Sequence, residues 1–271
     1  MILWVMVAIL FCGVAAIFTS CTNDNNSVDS IDNLSEKIIG KWIYAERNGE
    51  ATPTNKKRVF TFVSSTKAFV SASSIAEWSA GTQWIDHQEA DVVISGNKIT
   101  LTIHTDEHRT DVNEFDITTI DDNEFTAILR VTVTVDGNVE RISERNMRLT
   151  KVTADYSEAV LGLWECTGLI GDETYNDANA RLEFLADGTY RYYRMDDGGQ
   201  WQAVTTREFQ DYFVDGTLLA TRWKNVGEEE LREWWEIANI ANGQMVWTAL
   251  RQNTDGSTAQ QGMKWKRVLF D

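Results

Sequence analysis

Histidines and carboxylates are the side chains that could hold a metal or move a proton. All three histidines, His87, His104 and His108, fall in the first half of the chain, and two of them frame the stretch "HTDEH" at 104–108. His, Asp and Glu in such proximity have the composition of a metal site. Their spacing argues otherwise, because strand residues four apart share a face yet stand about 13 Å apart at a rise near 3.3 Å per residue. A turn would bring them together, but no third soft ligand is nearby. The stretch therefore reads as an exposed polar loop, and no metal is expected. Glu228-Glu229-Glu230 and Asp196-Asp197-Gly198-Gly199 read as solvated tips and turns without calcium-loop spacing. There is no Gly-x-Ser-x-Gly elbow, phosphate-binding glycine loop or HExxH, and no carboxylate pair stands out for acid–base work. The expectation is a non-enzyme with no cofactor.

The aromatic side chains offer a different chemistry, that of binding. Setting aside Trp4, residues before 153 hold Trp42, Trp78, Trp84 and Tyr44, whereas later residues hold seven tryptophans and six tyrosines. Tyr and Trp join a large apolar body to a polar handle, which suits a pocket that must also hydrogen-bond its occupant. The candidate set is Tyr190, Tyr192, Trp201, Trp223, Trp235 and Trp247, facing a small hydrophobic or amphipathic ligand. The alternative is that these rings simply fill an interior.

Charge narrows the partners. The chain carries 41 acidic against 25 basic side chains, a formal net charge of −16. Nucleic acid is disfavoured, since phosphate binding needs clustered cations and the one such run is Lys56-Lys57-Arg58. Cys12, Cys21 and Cys166 form no CxxC or disulfide framework, and Cys166 reads as a buried small hydrophobe.

The elements that must position these residues occur twice. "NLSEKIIGKW", ending at Trp42, aligns with "DYSEAVLGLW", ending at Trp164, with Ser, Glu, Gly and Trp at matching places. Further on, "GTQW" (Trp84) matches "GGQW" (Trp201), "ISGN" (Gly96) matches "VDGT" (Gly216), and "NMRLTKV" matches "GMKWKRV", all in order. Two homologous domains of about 115 residues, meeting near Thr153, follow. Asn33 with Glu36, and Asp155 with Glu158, predict a capping box, so each repeat is expected to open with a short helix. Beyond it the pattern is β. In "FTAILRVTVTV" (125–135) the apolar residues recur every second place, and Asp136-Gly137 supplies a hairpin turn. Eight or nine short strands per repeat with little helix predict an antiparallel meander that closes into a barrel to hide its edges.

The start of the chain is apolar and uncharged from residue 2 to 18, then reads Thr19-Ser20-Cys21. This resembles the lipobox of bacterial lipoproteins, which implies a signal peptide over 1–20 and diacylation of Cys21. The other reading is an uncleaved single-span anchor. Residues 21–33, polar and rich in Asn and Asp, read as a flexible tether.

A Gly-x-Trp after a short helix, followed by about eight meandering strands, resembles the lipocalin-like domains of bacterial lipoproteins. The resemblance covers nearly all of 34–268 twice, as barrel 1 (34–152) and barrel 2 (153–271). It implies an all-β chain of two tandem antiparallel eight-stranded lipocalin-like barrels. It also implies a basic residue of the last strand over each Trp, matched here to Arg148 over Trp42 and Lys264 over Trp164, closing each barrel. The expected function is non-catalytic binding of a small, partly apolar ligand, chiefly by barrel 2. The lipid anchor would place the protein in the cell envelope of a Gram-negative bacterium, on the outer membrane. The rival reading is an interaction lipoprotein whose solidly packed barrels dock an envelope protein.

Overall fold

The computed structural model describes residues 31–74, 83–170 and 180–269, which form two antiparallel sheets and almost no helix. Cys21, the expected signal peptide, most of the expected tether, Trp78 and Tyr175 lie outside the described residues. Among the described residues no helix is long and apolar enough to cross a membrane.

The first sheet holds β1 (Gly40–Arg47), β2 (Glu50–Ala51), β3 (Arg58–Phe62), β4 (Lys67–Ser74), β5 (Gln83–Ser95), β6 (Lys98–His104), β7 (Arg109–Ile120), β8 (Glu124–Val135) and β9 (Asn138–Lys151). Consecutive strands pair as hairpins, β2 hangs from the end of β1, and β1 also pairs with β9. That last ladder closes an eight-stranded barrel and removes its edges. Side chains alternate as the sequence pattern requires: in β7 the residues Arg109, Asp111, Asn113, Phe115 and Ile117 are buried, while their neighbours are not. Phe60, Phe115, Phe125, Ile99 and Leu101 fill the interior, each at most 1% exposed.

The second sheet comprises β10 (Gly162–Leu169), β11 (Ala180–Phe184), β12 (Tyr190–Met195), β13 (Trp201–Ala203), β14 (Arg207–Asp215), β15 (Leu218–Asn225), β16 (Glu230–Ala241), β17 (Gln244–Gln252) and β18 (Thr258–Arg267). Its order, β13-β12-β11-β10-β18-β17-β16-β15-β14, leaves β13 and β14 as edges. The sheet curls so that β14 approaches the start of β12, but among the described residues the backbone links there are one bridge, Thr189 to Asp211, and Tyr212 N–H donating to Gly188 O. This is a curled half-barrel rather than a second fully laddered barrel.

The helix expected before each barrel is reduced. α1 (Leu34–Lys37) has four residues; Asn33 precedes it in a left-handed conformation and its side chain makes no cap. Before β10 there is only a turn, closed by Val160 N–H donating to Tyr156 O. Four-residue segments make too few backbone bonds to offset nucleation, so packing rather than capping holds them. Ile31, read as tether, packs on the barrel 1 core and its N–H donates to Asn97 Oδ1 at 2.7 Å.

The Gly-x-Trp motif is one device used twice. Trp42 Nε1 donates to Ile38 O at 2.7 Å, and Trp164 Nε1 donates to Val160 O at 2.6 Å, so each indole pins the turn before its strand. The cation over Trp42 is Lys151, at 5.1 Å from the ring centre, and that over Trp164 is Arg267, at 4.3 Å. This corrects the assignment of Arg148 and Lys264. Arg148 pairs with Glu46 and Glu124 outside the barrel, and Lys264 is exposed. The reason is parity, since Met147, Leu149 and Lys151 share the inner face, as do Met263, Trp265 and Arg267. The glycine clears the path for the cation's stem. A Cβ on Gly40 would lie 3.0 Å from Lys151 Cε, and one on Gly162 would lie 2.9 Å from Arg267 Nη1.

A third apolar cluster joins the two sheets. Ile43 and Val59, on the outer face of barrel 1, pack with Phe213, Leu218, Ala220 and Trp234 of the second sheet. Trp234 Nε1 donates to Ser73 O at 2.7 Å, and Lys41 reaches both Asp155 and Asp215 at 2.6 Å. Burial pulls the Lys41 ammonium down, but bonding to both carboxylates outweighs it and holds the group above its ordinary value. Consecutive apolar residues such as Trp42-Ile43-Tyr44 and Trp234-Trp235 are the sequence trace of strands buried on both faces.

Candidate functional site

Five of the six aromatic candidates converge inside the second sheet. Tyr190, Trp235 and Trp247 belong to its buried core, and the half-buried Tyr192 packs against that core. Trp223 pairs across β14–β15 with Gln210, two residues from the core residue Tyr212, so it faces the same interior. Trp247 is the centre of a ring cluster, with centroids 4.6 Å from Trp265, 5.7 Å from Trp235 and 6.1 Å from Phe184. Trp201 stands apart, stacked under the Arg181 guanidinium at 3.9 Å, while Arg181 pairs with Glu165 at 2.5 Å. Arg181 neighbours the core residues Ala180 and Leu182 on β11, so that stack belongs to the outer face.

Arg207 organises the edge of this interior. It opens β14, and its guanidinium lies 5.0 Å from the ring centres of both Tyr192 and Trp223. Its Nη1 donates to Tyr190 Oη at 3.2 Å and to Gln210 Oε1 at 2.9 Å. One cation from β14 thus touches two tyrosines of β12, across the stretch where β12 and β14 share no ladder. Burial raises the Tyr190 phenol to about 12 against the opposing charge and hydrogen bond of Arg207, so it remains a protonated donor at neutral pH. Burial likewise raises Tyr212 to about 12, and its hydroxyl donates to Leu185 O at 2.8 Å. On β17, Arg251 pairs with Glu233 at 2.6 Å and lies 4.6 Å from the Trp235 ring centre.

Two donors in this interior have no acceptor. Trp247 and Trp265 are 2% and 3% exposed, and the Nε1 of each lacks a hydrogen-bond partner among the described residues. A buried N–H left in this state costs about 1–3 kcal/mol. This interior thus combines aromatic walls, two such donors and the fixed guanidinium groups of Arg207 and Arg251. Cys166, fully buried in the same core, has the packing of a small hydrophobe. Among the described residues no three His, Cys, Asp or Glu side chains gather to hold a metal; His104, at the end of β6, and His108, in the turn after it, are both exposed.

Arg207, Trp265, Glu233 and Arg251 were not singled out from sequence. Arg207 turns inward because of a register shift between Arg207 and Phe209, and no composition signal marks such a bulge. Trp265 shares strand parity with Arg267, the cation over Trp164, and the assignment of that cation to Lys264 puts Trp265 on the other face. Comparison of the chain with protein-family models and with curated proteins finds no match to either.

Proposed function

We propose that this chain is a lipid-anchored protein of the bacterial cell envelope, built from two tandem lipocalin-like domains, of which the second binds a small, partly apolar molecule without transforming it. The observation that carries the reading is the pair of acceptorless indole N–H groups of Trp247 and Trp265 within an aromatic interior. The ligand it implies is flat or ring-bearing, with a carbonyl, ether or carboxylate oxygen directed at those two donors. Entry would be at the unladdered stretch between β12 and β14, where Arg207 would have to leave Tyr190 and Tyr192. Lipidation of Cys21, and with it the outer-membrane location, rests on the Thr-Ser-Cys ending of the apolar run.

Native mass spectrometry of the full chain purified from its source, beside Trp247→Ala and Tyr192→Ala, tests the binding reading. A co-purified mass, lost in both variants, is the expected result. A clean apo mass, unchanged across a lipid and metabolite panel, would favour the rival in which the aromatic interior is packing alone and the protein acts by docking an envelope partner. Mass analysis of the processed N-terminus tests the anchor, with a diacylated Cys21 expected.

A further inference from the structure

A second site lies in barrel 1, at the end away from α1, and its chemistry is opposite. Arg58, Arg141, Arg145 and Asp111 line one small cavity there, with Ser143, Val131 and Val133. Asp111 is 1% exposed and is held in a two-pronged bond by Arg109, Nε to Oδ1 at 2.8 Å and Nη2 to Oδ2 at 3.2 Å. Three arginines line the cavity beside the Arg109–Asp111 pair, inside a protein whose net charge is −16. Concentrating so many of the 25 basic side chains in one barrel mouth is the reverse of what an acidic chain produces by solvating its surface.

Buried polar groups on the strands that carry the cavity residues or pair with them lack partners. Asn113, on β7 and paired with the cavity residue Val131, is 0% exposed, yet neither its Oδ1 nor its Nδ2 has a hydrogen-bond partner among the described residues. The same holds for Arg145 Nε and for the hydroxyl of Tyr44, which is 3% exposed. Asn113 wants one acceptor and one donor whichever way its amide is turned. Below this layer the barrel is filled by Phe60, Phe115 and Leu101, so no acyl chain fits behind a headgroup. The cavity volume is about 30 Å³, room for a couple of waters or one small polyatomic ion.

We infer that the mouth of barrel 1 is a binding site for a small free oxyanion that also carries a hydroxyl, such as hydrogen phosphate or a short hydroxycarboxylate. The anion oxygens take the guanidinium N–H groups, and Asn113 takes one oxygen while accepting from the hydroxyl. This site is independent of the aromatic interior of the second sheet, and neither reading needs the other.

Isothermal titration of the full chain with inorganic phosphate, sulfate, lactate and dimethyl phosphate tests it. Saturable binding of phosphate or lactate is expected, weaker for sulfate, which has no hydroxyl at neutral pH, and absent for dimethyl phosphate. Arg145→Gln should weaken phosphate about tenfold while leaving the thermal unfolding midpoint near that of the parent. Should that variant fail to fold, Arg141→Gln serves in its place. Non-saturating heats with every anion, or equal affinity in the arginine variant, would overturn the site. Equal binding of dimethyl phosphate would overturn the free-oxyanion assignment in favour of a diester such as a lipid headgroup.

Discussion

Set side by side, the two repeats share a closing device and differ in how far they close. In barrel 1 the long strand β5 continues past an irregularity at His87, a non-glycine residue at φ 47°, and pairs with β4 on both sides of it. In the second repeat the same strand is broken into β13 and β14, with residues 204–206 between them. The spacing of matched residues places the change there: it grows by three between the Trp84/Trp201 pair and the Gly96/Gly216 pair. The insertion lets β13 occupy the edge of β12, so the upper part of β14 has no strand to pair with. Three residues convert a laddered wall into a seam. What remains at that seam is side-chain chemistry: Arg207, two tyrosines and Trp223.

The shared device can be broken first. Trp42→Ala and Trp164→Ala each remove a fully buried indole together with the hydrogen bond that pins the preceding turn. Each is expected to cost about 3–5 kcal/mol in chemical denaturation. A loss below about 1 kcal/mol for either would mean that the two tryptophans are not equivalent plugs.

The cations sharpen the comparison because they are unequal. Lys151 contributes a charge over the ring, worth about 0.5–1 kcal/mol at a partly exposed site. Arg267 also donates to Leu161 O and Ala159 O, both at 2.6 Å. Arg267→Met is therefore expected to cost about 2–3 kcal/mol and Lys151→Met about 1 kcal/mol or less. Equal losses would show that the bonds to the two carbonyls contribute little.

Alkaline titration separates the repeats by their tyrosines. The phenols of Tyr190 and Tyr212 are raised to about 12 by burial, so the folded chain keeps both protons after the unfolded chain has lost them. Their contribution is complete below pH 10 and is lost as pH rises from about 10 to about 12, on the order of 2 kcal/mol for each ring. Barrel 1, with Tyr44 alone, has no such pair. Unfolding at rising pH should start in the second sheet, and Tyr190→Phe should flatten part of the loss. Phenolate absorbance developing fully near pH 10 in the folded protein would contradict this.

The fold was legible where periodicity and repetition carry it. Alternation in β7 and β8 follows from burial on one face, and the ordered matches to Trp42 and Trp164 gave two β units. Five of six aromatic candidates share one interior because strand parity and burial act together. Trp201 escaped because its strand is three residues long, too short to show a period. The joint between the sheets left its trace in the consecutive apolar residues around Ile43 and Trp234, but that trace does not say which surface covers them. The arginines of the barrel 1 mouth were hidden for another reason. Arg58, Arg109, Arg141 and Arg145 are scattered over three strands, and closure of the barrel alone brings them to one end.

The seam gives the smallest and most local effect. Arg207→Met keeps an unbranched apolar stem against Tyr192 and Trp223 but removes the bonds to Tyr190 and Gln210 and the charge over the rings. A global loss of about 1–2 kcal/mol is expected, because the remaining strands of the sheet keep their ladders. The sharper readout is amide hydrogen exchange, which follows local opening rather than global unfolding. Exchange should quicken in β12 and in the first half of β14 while β4 and β5, the laddered counterpart in barrel 1, stay as they were. If β4 and β5 quicken equally, Arg207 acts on the fold as a whole. If neither pair changes, the bridge at Thr189 and Asp211 with the bond from Tyr212 to Gly188 is enough to hold the seam, and the guanidinium is held by the aromatic rings rather than holding them.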